Sequence, residues 1–105
     1  MTNVEVRSSG EHVTVAPGDL IVVRLEDISA GTGYEWRMVS ELGGPLELES
    51  DSFEAPSQAP GAAAMRRLAF RSRERGTARV ELARTRAWAP DEPPEARFAF
   101  TVTVR

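Results

Sequence analysis

Apolar residues recur at every second position in short runs along the chain, the period of a strand with one buried and one wet face. Val4 and Val6 alternate with polar neighbours, as do Val13 and Val15, and Ile21, Val23 and Leu25 share a face with Arg24 and Glu26 opposite. The alternation returns in Leu46 and Leu48, in Leu68 and Phe70, and in Ala78, Val80 and Leu82. Tyr34, Trp36 and Met38 make a further row directly after a Gly-Thr-Gly stretch. The last row is the clearest: Phe98, Phe100, Val102 and Val104 face one way, and Thr101, Thr103 and Arg105 the other. No segment carries the period of an amphipathic helix.

Turn signals separate these rows: Ser-Ser-Gly at 8–10, Pro-Gly-Asp at 17–19, Gly-Gly-Pro at 43–45 and Glu-Arg-Gly at 74–76. Each half-buried sheet needs a second apolar face to cover it. The pattern therefore predicts an all-β fold, an immunoglobulin-like β-sandwich of about seven to eight mostly antiparallel strands, with residues 1–105 as a single domain and Trp36 in its core. The final strand, open along an edge, would invite aggregation, so it is expected to be paired inside a sheet. Two stretches interrupt the rhythm. Residues 54–64 are rich in Pro, Ala and Gly, and residues 85–96 hold an isolated Trp88 followed by three prolines. Connections this long on a compact domain often carry function.

Composition narrows the function more than the fold. No uninterrupted apolar run exceeds four residues, so no segment spans a membrane as a helix. The N-terminus lacks the basic and apolar regions of an export signal, which gives a cytoplasmic expectation. Without cysteine there is no disulfide, thiolate metal site or thiol nucleophile. The thirteen basic residues are all arginine, yet the net charge is -3, Glu74 and Glu81 lie among or near the arginines of 66–75, and no aromatic among them shares the face of Arg67 and Arg71 for base stacking. Nucleic acid is not an expected partner. The chain is expected to be a monomer.

Catalytic material is sparse. His12 is the single histidine, on an alternating strand with no companion nucleophile that spacing places beside it. In the acidic run 91–95 prolines separate the carboxylates, a poor arrangement for a hard cation. Neither an enzyme, a metal site nor a cofactor is expected. Two other features stand out. Gly33 can take a positive φ and Thr32 can hydrogen-bond locally, so 31–33 makes a defined turn. Trp88, two residues after Arg86, is either an exposed interface anchor or a lid folded onto the sandwich with Arg86 stacked on it.

In this order, these features resemble the chagasin-like inhibitors of papain-like cysteine proteases. The similarity runs from Val13 to Trp36, through Arg66 to Trp88, to Phe98–Val104. The family's first loop has an Asn-Pro-Thr-Thr-Gly-Tyr/Phe pattern, occupied here by Ser29, Ala30, Gly31, Thr32, Gly33 and Tyr34, of which the last three match. Its Gly-x-Gly-Gly second loop corresponds to Gly61, Ala62, Ala63 and Ala64, and its Arg-Pro-Trp third loop to Arg86, Ala87 and Trp88. The resemblance implies three loops (29–34, 57–64 and 85–90) at one end of the sandwich that block a papain-like protease. The first would enter the cleft over the catalytic cysteine, and the other two would grip its walls. The implied contact residues are Ala30, Gly31, Thr32, Gly33, Tyr34, Gly61, Ala62, Ala63, Ala64, Arg86 and Trp88. The alternative is an immunoglobulin-like interaction module with another partner. An exposed Trp88 clustered with Thr32 and Gly61 would favour the inhibitor, and a buried Trp88 the alternative.

Overall fold

The structure, a computed structural model, describes residues 2–28, 32–54, 64–86, 88–89 and 91–105. Among them, eight strands form two four-stranded sheets. The first sheet runs β1 (Asn3–Val6), β3 (Leu20–Asp27), β6 (Ala64–Ser72), β5 (Leu46–Glu54), and the second β2 (Glu11–Val15), β8 (Ala96–Val104), β7 (Gly76–Arg86), β4 (Tyr34–Met38). Pairings β1–β3 and β2–β8 are parallel and the rest are antiparallel, giving the mostly antiparallel, immunoglobulin-like sandwich that the alternation predicts. β8 pairs with both β2 and β7, so the apolar row from Phe98 to Val104 presents no open edge.

The inner faces meet in one core. Ile21, Val23, Leu68 and Phe70 from the first sheet pack with Val80, Leu82, Phe100 and Val102 from the second, all essentially inaccessible to solvent. Phe70 and Phe100 cross the interface edge to face, with ring centroids 6.0 Å apart. At one end of the sandwich Ser72 is buried and its hydroxyl donates to the Ala16 carbonyl at 2.6 Å. Asp19 accepts there from the backbone N–H groups of Thr2 and Ala16 at 2.9 Å each, which holds its carboxyl below the usual range.

Alternation fails as a guide in two strands. In β3 the run Leu20–Val23 is buried on both faces, because Leu20 and Val22 join Ala69 in a small outer cluster. In β5 the register slips between Leu48 and Ser50. Leu48 pairs with Phe70, but the next positions on that face are Asp51, opposite Leu68, and Phe53, opposite Arg66. This bulge turns odd-numbered side chains toward the second sheet where unbroken alternation would have turned even-numbered ones.

Candidate functional site

Strand pairing brings the three interrupted connections to one end. The last residue of β3, Asp27, pairs with the first of β6, Ala64; Met65 pairs with both Glu26 and Glu54; and the first residue of β4, Tyr34, pairs with the last of β7, Arg86. The connections after β3, β5 and β7 therefore all leave from the end of the sandwich opposite Ser72. Two polar links tie the sheets together just beneath them. The Trp36 indole N–H donates to the Glu26 carbonyl at 3.2 Å, and the Arg66 guanidinium donates to the Trp36 carbonyl. Arg66 also grips Asp51 with two parallel bonds of 2.9 and 2.7 Å, which hold the Asp51 carboxyl below its ordinary value.

The inner face changes character at this end. In place of aliphatic pairs it carries arginines over aromatic rings: Arg84 lies 5.4 Å from the Trp36 ring centre, Arg86 5.0 Å from that of Tyr34, and Arg66 6.0 Å from that of Phe53. Arg84 is further fixed by Glu95 at 2.9 Å. Each stacked pair contributes about 0.5–1 kcal/mol at a partly exposed site, and together they stiffen the strand ends from which the connections start.

Thr32 organises the end of the first connection. Its hydroxyl donates to the Ile28 carbonyl at 2.8 Å and accepts from the Tyr34 N–H at 3.1 Å, while its own N–H donates to Ile28 at 3.2 Å. Gly33 follows at φ +78°, in the left-handed region. Trp88 lies directly on this glycine. A Cβ added at Gly33 would stand 2.2 Å from Cη2 and 2.4 Å from Cζ3 of the indole, well inside van der Waals contact. Yet Trp88 is 69% exposed. The first and third connections thus interlock through the bare glycine, and the rest of the ring is presented to solvent. In the third connection, Ala89 N–H donates to the Arg86 carbonyl at 3.2 Å and Glu95 N–H to the Arg84 carbonyl at 2.9 Å.

Several expectations change. Arg86 stacks on Tyr34 rather than on Trp88, because the two are cross-strand partners. Thr85 and Arg86 end strand β7 rather than opening a loop, and Ala64 begins β6, so the third and second connections are shorter at those ends than the sequence suggests. Ala30, Gly31, Gly61, Ala62 and Ala63 lie outside the described residues. Sequence reasoning missed Phe53, Asp51 and Arg66. Their signal was an aromatic and a carboxylate two residues apart, hidden by the bulge in β5.

Two grooves of about 230 Å³, one beside Val39, Leu82 and Phe98 and one beside Val4, Val22 and Arg67, are lined by no described residue of the three connections. Among the described residues no three His, Cys, Asp or Glu side chains converge as a metal site, and no helix is long and apolar enough to cross a membrane.

Residues 14–102 match the family model of the chagasin family peptidase inhibitor I42. No curated protein matches the chain. Among solved structures, the fold is similar to that of EhICP2, a cysteine protease inhibitor from Entamoeba histolytica, with a TM-score of 0.83 at 20% identity over 99% of this chain and 96% of that one. Amebosin is similar with a TM-score of 0.70 at 24% identity, over 99% and 97% of the two chains. PbICP-C, whose structure is a complex with falcipain-2, gives 0.62 at 18% identity over the full length of both. With the family model spanning most of the sandwich, the chain belongs to the chagasin family of peptidase inhibitors.

Proposed function

We propose that this chain is a reversible, non-covalent inhibitor of papain-like cysteine proteases, acting as a wedge built from its three connections at one end. The observation that carries the proposal is the contact of Trp88 with Gly33, which fixes a large exposed ring beside a turn already braced by Thr32. A rigid tip loses little conformational entropy on binding, and an exposed Trp next to an Arg is the composition of an interface anchor. PbICP-C, a structural neighbour, was solved with falcipain-2 bound.

In this proposal Thr32, Gly33 and Tyr34 belong to the part that enters the cleft, with Ala30 and Gly31 ahead of them. Gly61, Ala62, Ala63 and Ala64 run beside one wall and offer main-chain hydrogen bonds as an added strand would. Arg86 and Trp88 engage the opposite wall. Blocking requires no reaction. The chain has no cysteine, and its one histidine, His12, sits on β2 at the outer face of the sandwich, bonded to Thr103 at 2.8 Å. The wedge binds without catalysing, with neither metal nor cofactor. An interface of about 1,600 Å² in total is sufficient for tight association.

Titration of the purified chain against papain-like proteases, followed by hydrolysis of a small substrate, tests this directly. The expected outcome is inhibition that saturates at one inhibitor per enzyme, reverses on dilution and returns the inhibitor uncleaved. A chain that is cleaved as a substrate, or that leaves every enzyme active at micromolar concentration, contradicts it.

A further inference from the structure

Among the described residues, three large apolar side chains are strongly exposed: Val39, Phe53 and Trp88. Trp88 belongs to the wedge. Phe53 lies outside all three connections, yet it stands one residue from the end of β5, in the strand row just beneath the pairing of Glu54 with Met65. The bulge in β5 turns it to the inner side of the sheet, but at this end of an edge strand it remains 65% exposed.

Its position is built rather than incidental. The Arg66 guanidinium lies over the ring at 6.0 Å. That guanidinium is itself fixed by two bonds to Asp51 and one to the Trp36 carbonyl on the other sheet, and its side chain is only 19% exposed. A cation already held by three hydrogen bonds cannot follow a mobile ring, so it holds one site for the ring to occupy. Asp51 balances the charge of Arg66, leaving the exposed part of Phe53 as a neutral apolar surface.

We propose that Phe53 is a further contact of the inhibitor, outside the three loops, which packs against an apolar side chain on the rim of the protease cleft, on the wall engaged by the connection that follows β5. The contact rests on the wedge proposed above and is continuous with it, because that connection leaves β5 one residue beyond Phe53. Rims differ between proteases, so Phe53 sets preference among targets more than it sets the ability to inhibit.

The test compares the unaltered chain with Phe53→Ala and Phe53→Leu on a panel of papain-like proteases, measuring inhibition and dissociation rates, with thermal melting as the control for folding. The alanine variant is expected to bind at least one protease about tenfold more weakly, mainly through faster dissociation, and others nearly as well as before. Leucine should recover most of the loss, and melting should move little. Equal inhibition by Phe53→Ala across a panel that the unaltered chain does inhibit would overturn the contact and leave the wedge standing. A marked drop in melting temperature with inhibition unchanged would overturn it too, showing the ring to pack against its own chain. Failure of the unaltered chain to inhibit any protease would remove the wedge, and the contact with it.

Discussion

Replacing Gly33 by alanine is expected to weaken protease inhibition at least ~30-fold while leaving the sandwich folded. Two penalties coincide at this position. At φ +78° a Cβ strains the backbone by about 1–2 kcal/mol, and the new methyl group falls 2.2 Å from the Trp88 ring. Trp88 is mostly exposed and free on its outer side, so the clash is relieved by the ring moving rather than by the core opening. The melting temperature should therefore fall by only the roughly 5–15 °C that about 1–2 kcal/mol of backbone strain produces in a domain of this size. Inhibition should fall much further, because a displaced anchor forfeits the ~2 kcal/mol or more that such a residue supplies. Trp88→Ala should have a comparable effect, and the double variant should lose little beyond Trp88→Ala alone, since both changes remove the same contact. Additive losses would mean that the two residues act separately and that the interlock is not what positions the ring.

The largest effect on stability is expected from Phe70→Ala. Phe70 is fully buried, meets Phe100 edge to face across the two sheets, and belongs to the central core cluster. Truncation removes about 3–5 kcal/mol from a total of about 5–15 kcal/mol. The melting temperature should drop by about 15 °C or more. Whatever fraction stays folded should still inhibit, because Phe70 lies near the Ser72 end of β6, away from the end at which the three connections leave the sheets. Chemical denaturation paired with active-site titration measures both. A small shift in the melt would contradict the central place assigned to this ring, and inhibition lost in the folded fraction would contradict the separation of core from wedge. The opposite pattern in Gly33→Ala makes the two variants a matched pair.

The fold was largely legible in the sequence because this core obeys one simple rule. Wherever a strand's inner face is aliphatic, as in Ile21, Val23 and Leu25 or Val80 and Leu82, the period of two locates it. The rule gives out where inner positions stop being aliphatic. β7 continues two inner positions past Leu82, through Arg84 and Arg86, and both arginines are satisfied by rings of β4 rather than by water alone. A hydrophobicity pattern ends such a strand early, which is why Thr85 and Arg86 looked like the start of a loop. In β5 the cause is different: one extra residue reverses the facing of everything after it, so Phe53 and Asp51 could not be assigned a side. The candidate site was legible in part. Gly33, Thr32 and Trp88 were visible as types suited to a turn and an anchor, but their contact, with Trp88 both packed and exposed, depends on a pairing between β4 and β7 that no local pattern encodes. The arginines at the loop end carried no signal of their own in a chain whose basic residues are all arginine.

The claim that the three-connection end occupies the catalytic cleft is tested most directly by asking whether the cleft must be empty. Binding of the chain would be measured, by calorimetry or surface capture, to one papain-like protease in three forms: active, with its catalytic cysteine replaced by alanine, and with that cysteine carrying a peptidyl inactivator that fills the cleft. A non-covalent wedge is expected to bind the first two forms with similar affinity and the filled form at least ~100-fold more weakly. Undiminished binding to the filled form would contradict the wedge, because the contact would then lie elsewhere on the protease.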